Sequence, residues 1–143
     1  MRLSPPHLHG KAIELLTIFL EKLENRSEVK SLSNLNLNDV EAVFRGRRQI
    51  LQSLNNVPSI PELEREANMS SSKLQKCFKQ VIGKAIAEYA LSEKMEWAKC
   101  LLSTRLYSVS EVGYKVGYAN LSHFTEAFHK YHRINPKQYL DSL

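Results

Sequence analysis

Ser59–Lys79 reads SIPELEREANMSSSKLQKCFK and Ser108–Lys130 reads SVSEVGYKVGYANLSHFTEAFHK. These are two versions of one pattern: a short apolar helix, a turn residue, and a second helix with one polar side. Leu63, Ala67, Met69, Leu74 and Phe78 align with Val112, Val116, Tyr118, Phe124 and Phe128, with one extra residue in the second turn. Asn68 and Gly117 fall where the chain needs a left-handed residue, and both types tolerate that conformation. This is the helix-turn-helix pattern, present twice. Two such units on a basic chain are the arrangement expected of a protein that reads duplex DNA at two places.

Working outward, the rest of the chain also reads as helix, and the fold class is all-α. No β-branched alternation is sustained, and glycine and proline number five each. Leu8 to Leu23 places Leu8, Ala12, Leu15, Leu16, Phe19 and Leu23 at helical spacing, which predicts an extra N-terminal helix. The polar stretch Asn25 to Asn38 reads as a linker. Residues 1–38 are thus set apart from a DNA-binding region at 39–143. Asn38 with Glu41 predicts a capping box opening a helix that runs to about Leu54. That helix turns Val40, Val43, Phe44, Ile50, Leu51 and Leu54 inward. Ser59 with Glu62 and Ser108 with Glu111 predict two more boxes, and Ser70 caps the first reading helix, about Ser71 to Val81. Gly83 ends it. A long helix over about 85–102 follows, with Leu91, Met95, Ala98 and Leu102 on one face. The second reading helix covers about Leu121 to Tyr131, and Asn135-Pro136 opens a short last helix containing Tyr139.

The inward pairs Leu74/Phe78 and Phe124/Phe128 define the outward faces by subtraction. Ser71, Ser72, Gln75, Lys76 and Lys79 face out in the first unit. Leu121, Ser122, His123, Thr125, Glu126 and His129 are the outward candidates in the second. Gln suits adenine edges, Lys suits guanine or phosphate, Leu121 a thymine methyl, and Glu126 a cytosine amino group. A connecting helix of about 18 residues spans ~27 Å, which brings two successive major-groove segments within reach of the readers. Arg45, Arg47 and Arg48 read either as phosphate contacts or as a solvated cluster.

Composition is consistent with that class. The chain has 143 residues, 43% of them hydrophobic, a net charge of +5 and a pI near 9.2. It is too apolar for disorder and long enough for one domain or two small lobes. No apolar run approaches a membrane span, and the start lacks a signal-peptide core, so a cytoplasmic, reducing location is expected. Cys77 and Cys100 fall on apolar helix positions and are expected to be buried free thiols. No phosphate loop or CxxC is present, and Cys77 lies on the inward side, against an enzyme reading. His7 and His9 flank a leucine. His129 and His132 with His123 lack the carboxylate or thiolate that a metal site would add. No cofactor, metal or catalytic residue is expected.

These residues resemble the C-terminal DNA-binding region of the AraC/XylS transcription factors. In the first half the resemblance rests on Met69-Ser70, Leu74, Phe78-Lys79, Gly83 and Tyr89. The joining helix adds Lys94-Met95, Ala98 and Leu101-Leu102. In the second half it rests on Val112, Val116-Gly117-Tyr118, Ser122, Phe124, Phe128, Pro136 and Tyr139. The resemblance covers about Asp39 to Leu143. It implies seven helices in two lobes bridged by the long one, sequence-specific binding to double-stranded DNA at promoters, and control of transcription. It places base readers at Ser72, Gln75 and Lys76, and at Leu121, Ser122, His123 and Glu126.

Several positions depart from the family pattern. Glu64 and Gly113 stand where alanine is usual, Lys94 for arginine, Arg133 for glycine, Leu140 for arginine, and Glu126 for a basic residue. Leu8-His9-Gly10 with Ala12, Leu15-Leu16, Arg48 and Leu51 is similar to siderophore-responsive members. Family members usually carry a sensing or dimerising domain ahead of this region. Here the N-terminal helix reads either as a remnant of one or as a helix packed on the first lobe. RNA polymerase and a second copy, joined through that helix, are the protein partners the reading suggests. The competing reading is a helical protein-interaction module, or a fragment that binds DNA only non-specifically.

Overall fold

The computed structural model describes residues 12–20 and 35–143. Among them every regular element is helical. Residues 12–20 form α1. Then come α2 (Leu37–Gln52), a 3₁₀ turn (Leu54–Asn56), α3 (Ile60–Ala67), α4 (Ser71–Ile82), α5 (Ile86–Ser103), α6 (Val109–Lys115), α7 (Leu121–His132) and α8 (Pro136–Asp141). From α2 to α8 these are the seven helices in two lobes that the resemblance implies. Leu8, Leu23 and most of the linker, like His7 and His9, lie outside the described residues.

Two separate cores account for the two lobes. The first gathers Val43 and Ile50 of α2, Leu63 and Ala67 of α3, Leu74, Phe78 and Val81 of α4, and Ile86, Tyr89 and Ala90 of α5. The second gathers Met95, Ala98 and Leu102 of α5 with Val112, Val116, Phe124 and Phe128. One helix therefore serves both. At about 100° per residue, Ile86 and Ala90 lie on roughly the opposite face of α5 from Met95, Ala98 and Leu102. This corrects the single stripe expected for α5. Leu91 points the way the second lobe's residues do but lies a turn before that core begins, and it is 41% exposed.

Local chemistry sets the helix ends. The cap of α2 is Asn36, two residues ahead of the expected Asn38. Its side-chain oxygen accepts from the Asp39 N–H at 2.8 Å. Asp39 is itself buried, its carboxylate 3.0 Å from Lys73 Nζ on α4, which ties the helix start to the reading helix. The α-helix ends at Gln52, and Leu54 belongs to the 3₁₀ turn rather than to α2. Glu62 accepts from the Ser59 N–H at 2.7 Å, and Glu111 from the Ser108 N–H at 2.6 Å. Cys77 is buried as expected, but Cys100 is exposed on the outer side of α5. Burial pushes the Cys77 thiol up, and nearby Asp39 adds to the effect.

The second lobe is closed by rings. Tyr118, Phe124 and Phe128 pack in series as tilted rings, 5.6 and 5.8 Å apart, and Phe128 meets Tyr139 at 6.1 Å. Tyr139 Oη pairs with Ser103 Oγ at 2.7 Å, and the His132 ring with the Met95 carbonyl at 3.0 Å, binding α8 and α7 to α5. Gly113 is buried under Phe124: a Cβ there would lie 3.0 Å from a ring carbon. A side chain here would require that ring to move by a few tenths of an ångström.

Two predictions follow from the helix ends. Arg133 caps α7 with φ 62°, a left-handed conformation that costs a residue with a Cβ ~1–2 kcal/mol. Arg133→Gly is expected to raise the urea midpoint, by about 1 kcal/mol of stability after the unfolded-state entropy of glycine is subtracted. The hydrogen bonds from Ser59 and Ser108 hold the Glu62 and Glu111 carboxyls below their ordinary value. Their contribution is therefore complete above the unfolded-state pKa and is lost as pH falls through the lower folded value. Melting curves of a Glu62→Gln, Glu111→Gln variant should show a shallower loss of stability below about pH 4.5 than the parent.

Candidate nucleic-acid interface

The two units use the same turn. In the first, α3 ends at Asn68 with φ 52°, and the Met69 N–H reaches back to the Glu64 carbonyl at 3.3 Å. In the second, Gly117 has φ 97°, and the Tyr118 N–H reaches the Gly113 carbonyl at 2.9 Å. Both are six-to-one bonds of the Schellman type, formed between equivalent residues. The same bond thus closes the end of the first helix in both units, ahead of α4 and of α7. The extra residue of the second turn, Ala119, displaces the following cap by one. Ser70 Oγ accepts from the Lys73 N–H at 3.4 Å, whereas Asn120 Oδ1 accepts from both Ser122 and His123, at 2.8 and 3.2 Å. Asn120 was not among the caps expected from the sequence.

The outward faces are as the inward pairs dictate. On α4, Ser72, Gln75, Lys76 and Lys79 are exposed and Ser71 is half-buried. Gln75 Nε2 donates to Ser71 Oγ at 2.9 Å, which holds the amide along the helix and leaves its oxygen outward. Lys73 is exposed as well, but its ammonium is committed to Asp39. On α7, Leu121, Ser122, Glu126 and His129 are exposed, and Thr125 is half-buried. These five line one shallow groove, together with Lys130 and Asn135. His123 is exposed but does not line it, standing one helical step to the side. Lys130 and Asn135 were not among the expected reading residues. Asn135 lies beyond the helix, and only the αL turn at Arg133 brings it back beside α7.

Among the arginines of α2, Arg45 and Arg48 are exposed, and Arg47 lies with its guanidinium carbon 6.0 Å from the Tyr89 ring centroid. Tyr89 is largely buried, which pushes its hydroxyl up to about 12, with Glu93 adding to the rise and Arg47 opposing it. Arg47 thus packs inward between α2 and α5. Lys94 stands 5.4 Å from the Tyr118 ring centroid, joining α5 to the second turn. Burial lowers its ammonium and raises the Tyr118 hydroxyl. Among the described residues no group of three His, Cys, Asp or Glu side chains could hold a metal ion. No described helix is long and apolar enough to cross a membrane.

Two small helical lobes, each presenting an exposed polar helix and spaced by a shared rod, define a bipartite helix-turn-helix protein. The helix-turn-helix domain family matches residues 63–142, and the chain belongs to it, as a DNA-binding protein of the AraC type. Over 73 residues it is 36% identical to the xylose operon regulatory protein of Escherichia coli strain K12, covering 51% of this chain and 19% of that one. Over 132 residues it is 26% identical to the Msm operon regulatory protein of Streptococcus mutans, covering 91% of this chain and 45% of that one. Among solved structures it is similar to the C-terminal domain of the two-component response regulator yesN from Fusobacterium nucleatum. The two share 31% identity and a TM-score of 0.64, over 70% of this chain and 98% of that domain. The chain thus spans less than half the length of the curated relatives described.

Proposed function

We propose that this chain binds promoter DNA by setting α4 and α7 into two successive major-groove segments and regulates transcription there. The observation that carries the reading is the matched pair of Schellman turns, each presenting an exposed polar helix of the same length. Gln75 and Lys76 on α4, with Ser71 and Ser72 at its start, are the base readers of the first lobe. Lys79, a turn further along, contacts phosphate. Leu121, Ser122, Thr125, Glu126 and His129 read the second segment, with His123 at its edge and Lys130 supplying charge. Glu126 selects against guanine, because a carboxylate accepts from the cytosine amino group and repels guanine O6 and N7. The site of action is the bacterial nucleoid, in the cytoplasm, and RNA polymerase is the partner through which binding alters transcription.

A second reading, a protein-interaction module, has one observation in its favour. Ile13, Leu16, Phe19 and Leu20 of α1 are 66, 59, 41 and 52% exposed. A second copy packing on that face would make a dimer. The two readings differ in what Gln75 and Lys76 do: an interaction module keeps its activity when both are replaced.

Selection of random duplexes by the purified chain at near-physiological salt tests the proposal. It should enrich two short boxes about one helical turn apart. Enrichment of no motif, with retention lost as salt rises, would reduce the chain to a non-specific polycation. On the selected duplex, Gln75→Ala should relax base preference at one position at a cost of ~1–3 kcal/mol. Lys79→Ala should weaken all sequences alike and lower the salt slope by about 1. Unaltered binding in both variants would remove α4 from the interface.

A further inference from the structure

The long helix is the principal connection between the lobes, and α3 and α4 share no extensive packing with α6 or α7. A second contact exists, and it is made by backbone. Gly117, in the turn of the second unit, lies against Asn55 in the 3₁₀ turn that precedes the first. A Cβ placed on Gly117 would collide with the Asn55 carbonyl oxygen and stand 2.8 Å from its carbon and 3.0 Å from its Cα. The hydrogen in that place points at the carbonyl, the arrangement of a Cα–H···O contact.

The sequence leaves this carbonyl available. A helical turn continuing past Asn55 would offer it the N–H of Pro58, which has none. The next N–H, that of Ser59, is bonded to Glu62. The 3₁₀ turn also packs on α5, so its position is set relative to the rod.

Gly117 is constrained twice: its φ of 97° strains any side chain, and the space beside it is filled by the other lobe. The equivalent residue of the first unit, Asn68, has φ 52°, inside the narrow left-handed region that residues with a Cβ can enter. What Asn68 does not face is the other lobe. Resting on the two-lobed DNA reading proposed above, we propose that the Gly117–Asn55 contact fixes the phase between the reading helices and thereby the base-pair spacing the chain accepts. Gly117 is a positioning residue: it acts through the angle between lobes and touches no base. Phase matters because each added base pair moves a half-site by ~3.4 Å and turns it by about 35°. A rigid pair of readers therefore discriminates spacing, and a hinged pair does not.

The test uses the duplex selected by the parent chain and versions with the spacer one or two base pairs shorter or longer. The parent should lose about tenfold or more in affinity for each altered spacer, the order of one reader's lost base contacts. Gly117→Asn keeps a residue type suited to the left-handed region and adds the Cβ that meets Asn55. It should flatten the spacing profile to within about threefold while preserving the base preference of each box. A second variant, Asn55→Gly with Asn56→Gly, loosens the 3₁₀ turn without adding an atom, and should flatten the profile in the same way. It decides the matter if Gly117→Asn fails to fold, as read from its melting curve. A steep profile retained by the folded variants would overturn the inference. A parent that ignores spacing, or selects one box only, would instead bring down the two-lobed reading itself, and the inference with it.

Discussion

An α-helix advances about 100° per residue, and α5 uses that rotation to complete two cores that never meet. Ile86, Tyr89 and Ala90 close the first, and Met95, Ala98 and Leu102, on roughly the opposite face, close the second. Neither lobe could bury its apolar residues without its half of this helix, since each otherwise consists of short helices with one apolar side. The reading helices inherit their placement from it. Phe78 on α4 packs against Tyr89 of α5, with ring centroids 5.5 Å apart, and α7 is bound to α5 through His132 and the Met95 carbonyl. The distance between the readers is thus a property of the rod that holds both cores.

Within each lobe the reading face is defined by what is buried. Leu74, Cys77 and Phe78, or Phe124 and Phe128, occupy the inward side, so Gln75 and Lys76, or Glu126, are left facing solvent or a ligand. Caps and turns then decide how the helix is aimed. Asp39 adds a restraint peculiar to the first lobe. Its buried carboxylate draws the Lys73 ammonium off the reading face and anchors α4 to the start of α2. A half-exposed ammonium keeps much of its hydration, so the pair serves placement more than stability.

Much of this was legible in the sequence because it depends on neighbours a few residues apart. Capping boxes at Ser59 and Ser108, the left-handed residues Asn68 and Gly117, and the i,i+4 apolar pairs are all local, and the outward faces of α4 and α7 follow from them. What was not legible depends on residues distant in sequence. The periodicity of α5 supports one stripe through Leu91, and only the existence of two cores shows that the stripe changes face. Asn38 and Asn36 are equally good caps locally; the ion pair of buried Asp39 with Lys73 accompanies the choice of Asn36. Cys100 continues the face of α5 that Ile86 and Tyr89 turn to the first core, but it lies about three to four turns beyond them and is exposed. Lys130 and Asn135 join the groove of α7 only through the turn at Arg133, and the approach of Asn55 to Gly117 has no local signature at all.

The central claim is that both lobes engage one DNA duplex together, as one rigid reader. The most direct measurement is the change in backbone amide resonances of α4 and α7 as a selected duplex is added, at near-physiological salt. The account predicts that amides at the starts of both helices, around Ser72 to Gln75 and Ser122 to Thr125, shift in parallel and saturate at one chain per duplex. Shifts confined to one helix, or spread over the basic surface and abolished by modest salt, would contradict it.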